Sequence, residues 1–335
     1  MLLNTHTTLT HQNLDQTLYV VAVVSNPVGY KSRVRLFNEF VKHITSFANV
    51  HLTTVELTFG ERDPVVTKGH NHIHLTTDSE VWHKENMLNV GIASLPKTAQ
   101  YIATIDSDIH FSNPYWVAQT INQLQHHYIV QVWDSAIDLG PNGEHMKHYT
   151  SLTSLYARGE PFKVTGGDYY GVTSSGTYAH PGFGWAYRRE ALDMVGGLID
   201  KAVAGAGDHH MALSLIGMAA KSLPGGVSPA YSKMVYSWQT RAEKNIRRDI
   251  GYVPGTILHY WHGKKTARGY ESRWSIIVNN QFDPDTDLRY DSQGVLNLVD
   301  HGDLRSIMLR DSLRRYFRQR QEDSIDADET LANQK

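Results

Sequence analysis

Tyr101–Phe111, YIATIDSDIHF, carries two aspartates one residue apart at the end of an apolar run. A short run of this kind reads as a buried strand, and in sheets built from strand–helix–strand units ligands gather at the carboxyl ends of the strands. Asp106 and Asp108 sit at such an end. Two carboxylates there can hold one hard divalent cation, which in turn grips a diphosphate. A bare Asp-x-Asp is more often an acidic turn, and the chain has others at Asp283–Asp285, Asp285–Asp287 and Asp326–Asp328. Only Asp106-Ser107-Asp108 follows an apolar strand inside a regular alternation of strands and helices.

That alternation extends on both sides. TLYVVAVVSNP (Thr17–Pro27) reads as a valine-rich buried strand that stops at Ser25-Asn26-Pro27, and Val34, Phe37, Val41 and Ile44 follow at helical spacing. Strands are expected over Asn49–Phe59 and His72–Thr77, a helix over Ser79–Leu95 with Ser79 as N-cap, a helix from Pro114 and a strand from Tyr128. The pattern predicts an α/β fold with a mixed, mainly parallel sheet flanked by helices. Beyond Asp134 the chain reads as loops and short strands up to Pro181. Helices are expected over Arg189–Asp200, ending at Gly196-Gly197, and over Asp208–Lys221 with Asp208 as N-cap. A basic helix, Leu304–Gln321, forms a C-terminal helical extension, and the polar tail after it is expected to be disordered.

Composition narrows the function classes. The 335 residues are 41% hydrophobic and 20% charged, with a net charge of −2, as in an ordinary soluble protein. Whole-chain charge does not predict a nucleic-acid binder, although it leaves a local basic groove open. The absence of cysteine excludes disulfides, thiolate zinc sites and cysteine nucleophiles. No apolar run approaches the roughly 20 residues of a membrane span, and MLLNTHTTLTHQNLDQ has no signal-peptide core, so a cytoplasmic protein is expected.

Nineteen histidines make metal binding worth testing. In GTILHYWHGKK (Gly255–Lys265), His259 and His262 are three apart, a spacing that lets both imidazoles reach one metal or simply pack beside Tyr260 and Trp261. His145 and His148 share the spacing, and His70, His72 and His74 alternate as a solvated strand face would. A third constellation runs from His180 to Leu215, where glycines around aromatic residues let backbone approach a ligand. Asp208 there follows Gly-Ala-Gly; it can cap a helix, act as a general base, or do both.

Taken in order, the strand with its Asp-x-Asp, then GFGWAYRREALDMVGGL, then GAGDHH, then a late histidine, the chain resembles glycosyltransferases of the GT-A fold. Residues 17–135 resemble the nucleotide-sugar half of family 2 enzymes. Residues 136–300 are expected to form the acceptor half of the same domain, and up to about Lys265 they resemble the C-terminal domain of β-1,4-galactosyltransferases and polypeptide N-acetylgalactosaminyltransferases. A polar leader (1–16) and the basic helix with its tail (301–335) flank them.

The resemblance implies a metal-dependent, inverting transfer of a sugar from a nucleotide-sugar donor, expected to be UDP-linked, to an acceptor hydroxyl. It makes Asp106 and Asp108 the metal and diphosphate motif, with Asp108 a direct ligand beside His262 and, where the galactosyltransferases have methionine, His259. The metal is Mn²⁺ or Mg²⁺, and histidine ligands lean towards Mn²⁺. Asp208 matches the acceptor-activating base of a Gly-Glu-Asp-Asp run, although Gly207 replaces the glutamate and His209 and His210 replace later acids. Lys84, Asn86 and Asn89 would border the donor, Ser25, Pro27 and Glu56 the nucleoside, and Trp185, with Tyr187, a sugar ring. The expected acceptor is a saccharide or another hydroxyl-bearing molecule. The alternatives are a bacteriophage enzyme acting on a hydroxylated DNA base, a non-catalytic nucleotide-sugar or carbohydrate binder, and a metal-dependent phosphoesterase.

Overall fold

The computed structural model describes residues 16–66, 71–164 and 177–325. In chain order the first half comprises β1 (Leu18–Ser25), α1 (Lys31–Ile44), β2 (Val50–Phe59), β3 (Asn71–Thr77), α2 (Lys84–Ser94), β4 (Tyr101–Ile105), β5 (Ile109–Phe111), α3 (Trp116–His126) and β6 (Ile129–Gln131). Then come β7 (Ser135–Leu139), β8 (His145–Ser151), α4 (Leu152–Ala157), β9 (Phe162–Lys163), β10 (Thr177–His180), β11 (Gly184–Arg188), α5 (Arg189–Val195), α6 (Gly207–Leu215) and α7 (Pro229–Asn245). The chain continues through β12 (Ile250–Tyr252), β13 (Thr256–His259), α8 (Arg273–Asn279), β14 (Leu288–Tyr290), β15 (Leu296–Leu298) and α9 (Leu304–Gln319).

The expected mixed, mainly parallel sheet is present, in the order β12-β6-β11-β4-β1-β2-β3. Within it only β11 runs antiparallel to its neighbours, β4 and β6. β1 is buried along most of its length because its valines meet helices, and Gly91 of α2 makes that approach close. A Cβ on Gly91 would stand 2.5 Å from Val21 Cγ1 and 2.9 Å from Val55 Cγ2. A second sheet, β5-β13-β7-β8-β10-β9, lies beside the first in sequence and shares its key segment. β4 ends in the first sheet at Ile105 and β5 begins in the second at Ile109, so Asp106-Ser107-Asp108 is the link between sheets. Parallel pairing of β1 with β4 places Ser25 and Asp106 at the same carboxyl edge.

Several boundaries differ from the sequence expectation. The second helix starts at Lys84, not Ser79, whose Oγ accepts a hydrogen bond from Leu298 N (3.0 Å) instead of capping. The expected Asp208–Lys221 helix is split: α6 ends at Leu215, Gly217 turns the chain at φ +77°, and Ala219–Ser222 forms a 3₁₀ turn. Asp208 is not its N-cap, a place taken by Ala206 at φ +80°. Glu56 pairs with His72 (3.1 Å) and His74 with Thr58 Oγ1 (2.9 Å), so this face of β3 is hydrogen-bonded rather than simply solvated; His70 lies outside the described residues. Asp283 accepts from the backbone of Asp285 and Thr286, as an acidic turn does. Asp326–Asp328 and residues 1–15 of the leader also lie outside the described residues.

The C-terminal helix is built into the core. Leu309, Leu313, Tyr316 and Phe317 pack with Tyr231, Ile276 and Ile277. Its arginines are largely paired: Arg305 with Asp287, Arg318 with Glu80, Arg310 with Asp311. Order extends past the helix into the polar tail, where Glu322 is 1% exposed; residues 326–335 are outside the described set.

Candidate active-site cleft

A cleft of about 420 Å³ opens at the carboxyl edge of the first sheet. Ser25, Pro27, Lys84, Asp106, Asp108, Asp208, His259 and His262 all line it, although they come from regions up to 237 residues apart in the chain (262 − 25).

One wall is a metal-ready trio. Antiparallel pairing of β13 with β5 sets His259 opposite Ile109, next to Asp108. The turn after β13 then brings His262 back: its Nε2 lies 3.2 Å from Asp108 Oδ2 and 3.3 Å from His259 Nε2, while His259 Nε2 is 3.7 Å from Asp108 Oδ2. One ligand atom from each residue falls within 4.8 Å of the others. Asp108 Oδ1 is buried without a hydrogen-bond partner, which leaves it open for coordination. One carboxylate and two imidazoles suit a divalent ion of the Mn²⁺ kind, so the donor set fits the implied metal.

The surroundings fix these ligands. Parallel pairing with β7 places Asp138 beside His259, and its Oδ1 lies 2.6 Å from His259 Nδ1. That contact leaves His259 Nε2 pointing at Asp108, the arrangement by which a second carboxylate orients a ligating imidazole. Asp138 also pairs with Lys265, which donates to Tyr149 OH at 2.6 Å. Burial, with Arg268 next, pushes the His262 pKa down to about 4, which favours the neutral, ligating form. Burial raises Asp108, but the two histidines more than offset it and hold the carboxyl well below its usual range.

Another part of the cleft carries Asp208, half-buried in the first turn of α6. Its Oδ1 accepts from His209 N at 2.8 Å. Burial works against its charge, and Lys84 and Arg273 overcome that, so its pKa lies below the usual value and it stands as a carboxylate. Lys84 is in turn 2.5 Å from Asp106 Oδ1; burial opposes its charge, but Asp106, Asp208 and Glu85 hold it protonated.

The His180–Gly184 string spans the two walls. A Cβ on Gly182 would stand 3.0 Å from Asp208 Oδ2, so glycine lets the carboxylate approach. The His180 ring stacks on Phe183 at 4.1 Å, and Phe183 reaches His259 at 4.8 Å. Phe183 adopts φ +74°, and its carbonyl accepts from Asp106 N at 2.8 Å, which ties the string to the Asp-x-Asp link.

Five residues singled out from the sequence, Glu56, Asn86, Asn89, Trp185 and Tyr187, are not brought to the cleft. Glu56 accepts from Val65 N and Val66 N and anchors that loop. Asn86 bridges to Gly294 and Leu296 in the β14–β15 turn, and Asn89 holds Leu198 through both its amide groups. Trp185 donates to Pro181 O at 2.8 Å and packs with Tyr187 in the main core. Conversely, Arg33, Trp82, Glu85, Arg268, Arg273, Arg320 and Glu322 line the cleft without a signal in the sequence. Glu322 is clamped by Arg33 (2.5 and 2.7 Å) and Arg320 (2.7 Å), and its Oε2 lies 4.0 Å from His262 Nδ1.

No protein-family model matches the chain, and no curated protein does. Solved structures similar to it include the catalytic domain of Drosophila β1,4-galactosyltransferase 7 in complex with xylobiose, at 14% identity over 85% of this chain and 94% of that one, TM-score 0.37. S. aureus TarS 1–349 in complex with UDP-GlcNAc is 13% identical over 73% of this chain and 58% of that one, TM-score 0.37. Glucosyl-3-phosphoglycerate synthase from Mycobacterium tuberculosis, in complex with Mn²⁺, UDP and phosphoglyceric acid, is 14% identical over 72% of this chain and 70% of that one, TM-score 0.35. At such identities and scores, function has to be read from the cleft itself.

Proposed function

We propose that the protein is a metal-dependent glycosyltransferase that moves a sugar from a nucleotide-sugar donor to an acceptor hydroxyl with inversion. One observation carries this reading: a carboxylate–histidine–histidine trio with an open carboxylate oxygen shares its cleft with a separate, ionised carboxylate at Asp208. Asp108, His259 and His262 would hold the metal, which when bound neutralises charge on a diphosphate leaving group. Lys84, cationic beside Asp106, adds a fixed positive charge on the same side. Asp208 takes the proton of the acceptor hydroxyl as its oxygen bonds to the anomeric carbon and the bond from that carbon to the diphosphate oxygen breaks. With Asp208 as general base, a single displacement by the acceptor oxygen comes from the face opposite the leaving group, hence inversion.

A DNA acceptor would draw on the basic helix, but the pairing of Arg305 and Arg318 with Asp287 and Glu80 removes much of its free charge. A saccharide or other small hydroxyl acceptor is the reading favoured here. Among the described residues no helix is long and apolar enough to cross a membrane.

The test is titration calorimetry of nucleoside diphosphates and their sugar conjugates, with and without Mn²⁺. Metal-dependent binding of one nucleotide, lost in Asp108→Ala, is the expected result. Binding that ignores both the metal and Asp108 would overturn the metal assignment, and no binding of any nucleotide would overturn the donor class.

A further inference from the structure

The Gly205-Ala206-Gly207 turn before Asp208 is shaped by what presses on it. A Cβ on Gly207 would stand 2.8 Å from the Glu85 carboxyl carbon and 2.9 Å from its Oε1, so the turn leaves room for one carboxylate. Glu85 follows Lys84 on α2, is 3% exposed and lines the cleft. Its electrostatic partners are Lys84, already in contact with Asp106, and the carboxylates of Asp208 and Asp106. Among the described residues no other side chain hydrogen-bonds to it or pairs with it within 4 Å. Burying a carboxyl whose one hydrogen bond comes from its own backbone N–H is costly, and helix packing does not require it, since an apolar residue of similar size would fill the same place.

Its position says what it faces. Asp106 marks the diphosphate side and Asp208 the acceptor side; the Glu85 carboxyl lies against Gly207, the residue before Asp208, and Glu85 follows Lys84, which contacts Asp106. The transferred sugar has to lie between those two sides, because its anomeric carbon exchanges one oxygen for the other. Building on the glycosyltransferase reading above, we propose that Glu85 is a substrate-contacting carboxylate that accepts hydrogen bonds from neighbouring hydroxyls of the transferred sugar ring. Carboxylates suit this because two oxygens can accept from two adjacent hydroxyls. Gly207 is the residue that makes the contact possible, and Lys84 and Glu85, consecutive on one helix, divide the donor between them: phosphate side and sugar side.

The experiment compares two affinities in one protein. Titration calorimetry with Mn²⁺ measures UDP, GDP, ADP, CDP and dTDP and the glucose conjugate of each against wild type, Glu85→Gln and Gly207→Ala. The glutamine keeps the shape and removes one acceptor; the alanine keeps the carboxylate and displaces it. For whichever nucleotide the wild type binds, both variants are expected to lose tenfold or more in affinity for the glucose conjugate while the bare diphosphate keeps its affinity. That bare diphosphate is the control for folding in each variant. Equal affinities for the conjugate in wild type and both variants would overturn the assignment of Glu85, with the glycosyltransferase reading intact. Parallel loss of diphosphate and conjugate in a variant whose melting temperature is unchanged would also overturn it, since the effect would not be on the sugar. A wild type that binds no diphosphate would bring down the donor class itself, and this assignment with it.

Discussion

The two walls of the cleft are made in different ways. The metal-ready wall is strand-built: His259 and Asp108 owe their closeness to the register of β13 with β5, and Asp138 reaches His259 through the register with β7. The base wall is turn-built: Asp208 follows a stretch in which Gly205 and Ala206 adopt φ of +89° and +80°, with Gly182 and Gly207 leaving room for carboxylates. Strand register fixes ligands to within tenths of an ångström, as coordination demands, whereas small residues and positive φ leave space for a substrate to enter. On the proposed function the difference matches two tasks: one wall would hold the metal, the other would receive the acceptor.

The sharpest way to separate them is Asp208→Asn. Transfer should fall by about 10²–10⁴-fold while metal-dependent nucleotide affinity is kept, because a general base acts on the acceptor alone. Calorimetry and a transfer assay on the same preparation check this; loss of nucleotide binding would mean that the walls are not independent.

Glu322→Gln should break the strand-built wall by another route. It leaves Arg33 and the buried Arg320 without their carboxylate, at a cost of about 3–5 kcal/mol, measurable by chemical denaturation. An unchanged stability would show that the buried Arg320 does not depend on this carboxylate.

Asp138→Asn is expected to weaken Mn²⁺ binding by about 10–100-fold with the fold intact, since the amide can turn its donor towards His259 Nδ1 and unfix the tautomer. Direct metal titration without nucleotide reads this, and an unchanged affinity would reduce Asp138 to a partner of Lys265.

The smallest effect is in pH. Burial holds His180 and His210 down to about 3, so both stay neutral in the fold. The unfolded chain takes up those protons near pH 6.5, so stability falls as pH drops below about 6.5, by up to about 1.4 kcal/mol per pH unit for each histidine. Glu85, which burial raises to about 7, acts with the opposite sign and weakens the slope by one group between about pH 4.5 and 7. Denaturation midpoints at pH 7 and 5.5 give the sign directly; a higher stability at pH 5.5 would contradict the buried neutral histidines.

How much of this the sequence could reveal follows from how local each cause is. The strand before Asp106, the spacing of His259 and His262 and the helix end at Gly196 are written within a few residues, and the structure has them where they were expected. Trp185 illustrates a limit: an aromatic in a glycine-rich string gives no sign of which face of β11 it will occupy, and it faces the core. Ser79 had the right chemistry for a cap but is drawn off by Leu298, more than two hundred residues later. Asp138 and Glu322 depend on strand register and on a contact 289 residues apart, and neither has a local signature. Glu85 was hidden because a glutamate in a helix is ordinarily solvated; only the gap at Gly207 shows where its carboxylate goes.

The clamp of Arg33 and Arg320 on Glu322 also sets an order of events. A ribosome delivers the chain from its N-terminus, so the Asp-x-Asp link, the histidine pair and Asp208 all emerge while residue 322 is still unmade. Until Glu322 arrives, Arg33 has no carboxylate to meet, and the edge of the cleft beside His262 stays open to water. The last helix and the three residues after it, up to Glu322, therefore act as the closing step of this clamp, and a growing chain cannot present a finished cleft edge before residue 322 is made.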